Sequence, residues 1–131
     1  MTRIEHRLCF AGLALFLIAL LQGFAIPAFE RVDVARAAHA TALGSGTFLI
    51  AVGLLWPKLS FRRLAALWAA LLVTSLYAIA VALTLSATYP SGGEANHRVV
   101  AAFNAVLGVG GAIALLASLL AVMFACKPSR A

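Results

Sequence analysis

LAALWAALLVTSLYAIAVALTLSA, residues 64–87, runs from Leu64 to Ala87 without one charged side chain. As an α-helix rising about 1.5 Å per residue, such a stretch is about 36 Å long, enough to cross a hydrocarbon core of about 30 Å. Its polar groups are Thr74, Ser75, Tyr77, Thr84 and Ser86. Serine and threonine hydroxyls can bond the carbonyl one turn back, so most of these are expected to be structural. Tyr77 differs, because a phenol in mid-span needs a partner or a cavity.

Working outward, three further apolar runs of spanning length cover roughly residues 8–29, 37–56 and 99–126. Pro27 closes the first run, Trp56 and Pro57 close the second with Trp at interfacial depth, and Tyr89-Pro90-Ser91-Gly92-Gly93 separates the last two. Lys127 and Pro128 end the fourth. The chain has 131 residues, 64% hydrophobic and 11% charged, and a mean hydropathy of +1.05. That excludes a soluble domain and a disordered tail protein. The expected fold is all-α, a single integral membrane domain of four transmembrane helices over residues 1–131. A secretory signal peptide fits less well, because the first apolar run exceeds the roughly 7–15 residues of a typical signal core. No small-x-small cleavage site follows it before Phe29 and Glu30.

Ten Lys and Arg against four Asp and Glu give a net charge of +6, which the positive-inside rule explains better than a nucleic-acid partner does. Arg3, Arg7, Lys58, Arg62, Arg63, Lys127 and Arg130 lie at the termini and between spans two and three. Arg31, Arg36 and Arg98 lie in the other two connections, where Glu30, Asp33 and Glu94 neutralise them. Both termini are therefore expected to be cytoplasmic, in a membrane of the bacterial inner type. Cys9 and Cys126 then lie near the reducing face, where packing rather than a bridge is expected. No Cys/His cluster has metal spacing, which excludes a zinc module.

Ionisable groups at bilayer depth are costly, so each is a candidate functional residue. His39 opens a long apolar run, whereas His6 lies in the charged N-terminal segment and His97 beside Glu94 and Arg98. On a helix, Ala42, Leu43, Gly46 and Ile50 share the face of His39, and the low bulk at Ala42 and Gly46 would let a flat ligand approach. Neutral imidazole is a good iron ligand, and haem in membrane bundles is commonly held by helix histidines. On the residues alone the alternative stays open that His39 caps the outer end of the span and bonds a loop.

Gly44, Gly46 and Gly53 in the second run, and Ala101, Ala105, Gly108 and Ala112 in the fourth, put small residues where helices can approach closely, inside the bundle or between subunits. Gln22 and Asn104 are candidates for interhelical bonds. No heptad pattern or internal repeat is evident. No Ser/His/Asp or Cys/His set and no buried carboxylate pair is present, which argues against hydrolytic chemistry. A small multidrug transporter would need a carboxylate within a span, yet Glu30 lies beyond Pro27 and Asp33 in the following connection. A non-catalytic membrane subunit is the other alternative.

Gly23-Phe24-Ala25-Ile26-Pro27, Ala37-Ala38-His39, Gly44-Ser45-Gly46-Thr47-Phe48-Leu49 and Val52-Gly53-Leu54-Leu55-Trp56-Pro57 together resemble the hydroxylaminobenzene mutase family, with styrene oxide isomerase a more distant likeness. The resemblance covers roughly residues 8–125 and is most specific from His39 to Pro57, with weaker support from Tyr77-Ala78 and Pro90-Ser91-Gly92-Gly93. It implies an integral membrane isomerase that forms a homo-oligomer, since the related isomerase is a trimer. It also implies haem b held by a histidine at the start of span two, the position of His39, with Gly46 on the cofactor-binding face.

An asparagine six residues after that ligand lines the isomerase's substrate pocket; Ser45 stands there and reaches less far. Mutases of the family read Tyr-Ala-Asn where this chain has Tyr77-Ala78-Ile79. The isomerase's span-three aspartate and tyrosine fall near Ser75 and Leu83, so its epoxide chemistry is not carried over. The implied reaction converts an arylhydroxylamine to an aminophenol by Lewis-acid activation at an iron held by His39. Tyr77 and Ser45 would orient this small aromatic substrate by hydrogen bonds.

Overall fold

The computed structural model describes residues 2–59, 64–89 and 95–125, without the side chains of residues 95–97. Four helices, all long and apolar enough to cross a membrane, make up the fold: α1 (Arg3–Ala25), α2 (Val32–Leu55), α3 (Ala65–Thr88) and α4 (Ala95–Ala125). No strand occurs among the described residues. In a bilayer the backbone must satisfy itself, which selects helices for segments of this composition.

α1, α2 and α4 begin before the apolar stretches that mark them. A capping box starts α1 at Arg3: the Thr2 hydroxyl accepts from the Glu5 amide at 3.2 Å, and the Thr2 amide donates to the Glu5 carboxylate at 2.9 Å. α2 begins at Val32, so Asp33 sits in its first turn rather than in a loop. Hydropathy marks the length that lipid accepts, whereas a helix continues into the polar interface until a breaker stops it. Pro27 and Pro57 stop α1 and α2 in short 3-10 turns, Ile26–Ala28 and Trp56–Lys58. Trp56 lies at a span end as expected, but its ring turns inward and is 6% exposed, in a core with Leu8, Leu15, Leu49, Leu72 and Leu76.

α1 and α2 form an antiparallel pair along a glycine seam. A Cβ on Gly12 would lie 2.7 Å from the Gly46 carbonyl oxygen, and one on Gly46 would lie 2.8 Å from that of Gly12. Lower down, a Cβ on Gly53 would meet the Cys9 sulfur at 2.8 Å. On α2 the contact residues His39, Gly46 and Gly53 recur every seven positions, a periodicity carried by small residues rather than by apolar knobs.

α3 runs parallel to α1 and packs on both α1 and α2. α4 packs antiparallel on α3, with Leu115 against the core cluster. Its contact line passes through Gly108, Gly111, Leu115 and the buried Ser118. Of the ridge Ala101, Ala105, Gly108 and Ala112, Gly108 faces α3, with its virtual Cβ 3.8 Å from that of Ala82, while Ala105 and Ala112 are exposed. The closer approach is at Gly111, whose virtual Cβ is 3.2 Å from the Ser75 carbonyl.

Arg62, Arg63, the Pro90–Gly93 loop, Cys126, Lys127 and Arg130 lie outside the described residues, as does the His97 side chain.

Candidate functional site

His39 lies two turns into α2, half-buried against α1, and its Nδ1 is 2.7 Å from the Ala19 carbonyl oxygen. A carbonyl can only accept, so Nδ1 carries the hydrogen. The neutral ring then presents Nε2 as a bare lone pair, the form in which imidazole binds a metal. His39 therefore bonds a neighbouring helix and not a loop, because the antiparallel α1 reaches past it toward the connection between α1 and α2.

The neighbour is held there by local sequence. Ala19 is fully buried, and the Gly12–Gly46 crossing below draws the two backbones together. One turn above Ala19, Gly23 offers no side chain, and a Cβ there would stand 2.9 Å from His39 Cε1 and 3.2 Å from Nδ1. The ring lies in the notch so formed. Gly46, expected on an open face toward a cofactor, is taken up by this crossing: its virtual Cβ would also lie 2.9 Å from the Phe16 amide nitrogen. Its effect on His39 runs through the helix spacing.

Tyr77 has the partner that its mid-span position requires, donating to the Ala11 carbonyl at 2.8 Å. It borders a cleft of about 230 Å³ between α1 and α3 with Leu15, Gln22, Ala42 and Thr84. Across that cleft the Gln22 amide donates to the Thr84 hydroxyl at 3.0 Å, and Thr84 donates to the Ala80 carbonyl at 2.8 Å. Ser45 is buried and faces another groove, with Phe48, Leu76, Leu115 and Leu119. Tyr77 and Ser45 thus border different grooves, and His39 lines neither of them.

The remaining intramembrane hydroxyls behave as expected: Thr74 donates to Ala70, Ser75 to Leu72 and Ser118 to Leu115. Asn104 bonds Ser86 across α3 and α4, and its Oδ1 is buried with no hydrogen-bond partner. It borders an open groove of about 430 Å³ that includes Ile79, Leu83, Gly108 and Arg31.

Among the described residues no group of three or more His, Cys, Asp or Glu side chains could hold a metal ion. The donor set suits a metal that brings its own equatorial ligands and takes one axial imidazole, as haem iron does. The oriented Nε2 of His39 fits that requirement, and the carbonyl behind Nδ1 is the usual outer partner of a ligating histidine.

The family model described as styrene oxide isomerase matches residues 4–127 of this chain. Among curated proteins, hydroxylaminobenzene mutase HabB of Ectopseudomonas oleovorans is 42% identical over 57 residues, 44% of this chain and 35% of that protein. Hydroxylaminobenzene mutase HabA of the same organism is 33% identical over 87 residues, 64% of this chain and 63% of that protein. The chain thus spans less than two thirds of the length of either relative. No solved structure matches it.

Proposed function

From the premise that the chain belongs to the styrene oxide isomerase family, we propose that it is a membrane-bound, haem-dependent isomerase of small aromatic compounds, acting as a mutase that turns an arylhydroxylamine into an aminophenol. The observation that carries this reading is His39, whose Nδ1 is engaged by the Ala19 carbonyl at 2.7 Å so that Nε2 is left to ligate. The named relatives are mutases of hydroxylaminobenzene, which motivates the substrate class.

Reactant and product have the same formula: the N–O bond breaks, a ring C–O bond forms, and a ring proton is returned to nitrogen. No redox cosubstrate is needed. When bound, haem b would supply a Lewis-acidic iron. His39 would hold that group through Nε2. Tyr77 has its O–H committed to Ala11, so it offers a substrate N–H or O–H the lone pairs of its phenol oxygen. Ser45 can donate or accept. The apolar helices hold the aromatic ring and keep out bulk water.

Tyr77 and Ser45 border different grooves and His39 lines neither, which favours a homo-oligomer, a trimer in this reading, that brings surfaces of neighbouring copies together around cofactor and substrate. The charge distribution supports a cytoplasmic location for both termini.

The test is turnover of hydroxylaminobenzene by the detergent-purified protein, with product identified by chromatography. Formation of aminophenol at a rate above the haem-only control is expected. Haem binding without turnover would favour a non-catalytic membrane subunit.

A further inference from the structure

We propose that Gly23 is a positioning residue for His39: its missing side chain opens the Ala19 carbonyl to the imidazole and thereby fixes which ring nitrogen is free and where it points. The inference rests on the reading of His39 as the axial ligand, but its structural part can be tested without haem.

In an α-helix the carbonyl of residue 19 accepts from the amide of residue 23. The side chain of residue 23 therefore stands beside that carbonyl, on the same helix face. Any Cβ there would come 2.9 Å from His39 Cε1 and 3.2 Å from Nδ1, with Nε2 at 3.5 Å. The ring, as the movable end of its side chain, would have to shift from its present 2.7 Å approach to Ala19. Carbonyl oxygen has two lone pairs, so Ala19 can serve both the helix and His39. Two residues on α1, one lending a backbone oxygen and the other an absence of bulk, thus select the tautomer of a side chain on α2.

The other seam glycines do different work. Gly12 and Gly46 admit each other's backbone, and Gly53 admits Cys9. Gly23 alone in the seam faces a titratable ring. A residue at this position can therefore be changed to alter the ligand's orientation separately from the crossing below.

The experiment uses the full chain in lipid nanodiscs. In haem-free wild type, side-chain nitrogen NMR should show His39 protonated at Nδ1 and bare at Nε2. Gly23→Ala should lose that signature, and Gly44→Ala, whose methyl would meet nothing within 4 Å, should keep it. On haem titration, Gly23→Ala should bind about 10- to 100-fold more weakly, the usual effect of disturbing an outer partner of a metal ligand. Gly44→Ala should bind as wild type. If Gly23→Ala does not fold, the double variant His39→Ala/Gly23→Ala supplies the answer, since alanine at 39 removes the ring that the methyl would strike. Recovery to the stability of His39→Ala supports the proposal. A double variant as unstable as Gly23→Ala overturns it, as does a Gly23→Ala protein that retains the wild-type tautomer. If wild type shows the tautomer and Gly23→Ala loses it, yet wild type binds no haem, the positioning stands and the ligand reading falls.

Discussion

A side chain in the middle of a span must find its hydrogen-bond partner within the protein, and Tyr77 and His39 meet that demand in the same way. Each takes a backbone carbonyl of α1, Ala11 for Tyr77 at 2.8 Å and Ala19 for His39 at 2.7 Å. Those carbonyls already serve their own helix, so losing the tyrosine hydroxyl leaves no orphaned acceptor. Tyr77→Phe should therefore cost only about 0.5–1.5 kcal/mol of stability, measured by reversible unfolding in mixed micelles. A loss of several kcal/mol would show that the hydroxyl belongs to a larger polar network. The need for partners at Tyr77 and His39 was legible in the sequence, because it follows from residue type and depth. The partners were not, because a backbone carbonyl carries no residue signature and becomes available only where two helices come close enough.

At the scale of the helix pair, that closeness depends on which glycines face each other. The sequence marked Gly44, Gly46 and Gly53 alike as small residues, yet only Gly46 and Gly53 lie against α1, and Gly44 has open space. Gly46→Ala would put a methyl 2.8 Å from the Gly12 carbonyl, and overpacking of this kind costs about 1–3 kcal/mol. Gly44→Ala should be neutral or slightly stabilising, because alanine is the better helix former. Equal melting temperatures for the two variants would contradict the seam. The seven-residue interval from His39 through Gly46 to Gly53 was present in the sequence, but it escapes a search for apolar heptads because its members are small or polar. On α4, Gly108 of the ridge read from Ala101 to Ala112 lies on the contact line with α3, which continues through Gly111 and Ser118, while Ala105 and Ala112 are exposed. Alanine is abundant on every face of that helix and blurs the stripe.

For the whole molecule, hydropathy alone was enough to find four spans, although α1, α2 and α4 begin before their apolar runs. What hydropathy cannot separate is a face toward lipid from a face toward another copy, since both are apolar. Among the described residues α4 packs on α3 alone and leaves Val99, Phe103, Val106, Val109, Ile113, Leu116 and Leu120 exposed. If neighbouring copies cover part of this surface, Gly108→Leu, which would wedge α3 from α4 at Ala82, should reduce both the oligomer mass in mild detergent and the haem content. A monomeric wild type with full haem content would contradict the assembly. For topology, a reporter fused after Ala131 should be active on the cytoplasmic side, and activity confined to the outside would reverse the orientation. Haem binding through His39 is read in the visible spectrum of the purified protein after haem addition. A Soret band shifted from that of free haem should form in wild type, His6→Ala and His97→Ala, and should be lost in His39→Ala. The same shifted band in His39→Ala, or none in wild type, would contradict the account.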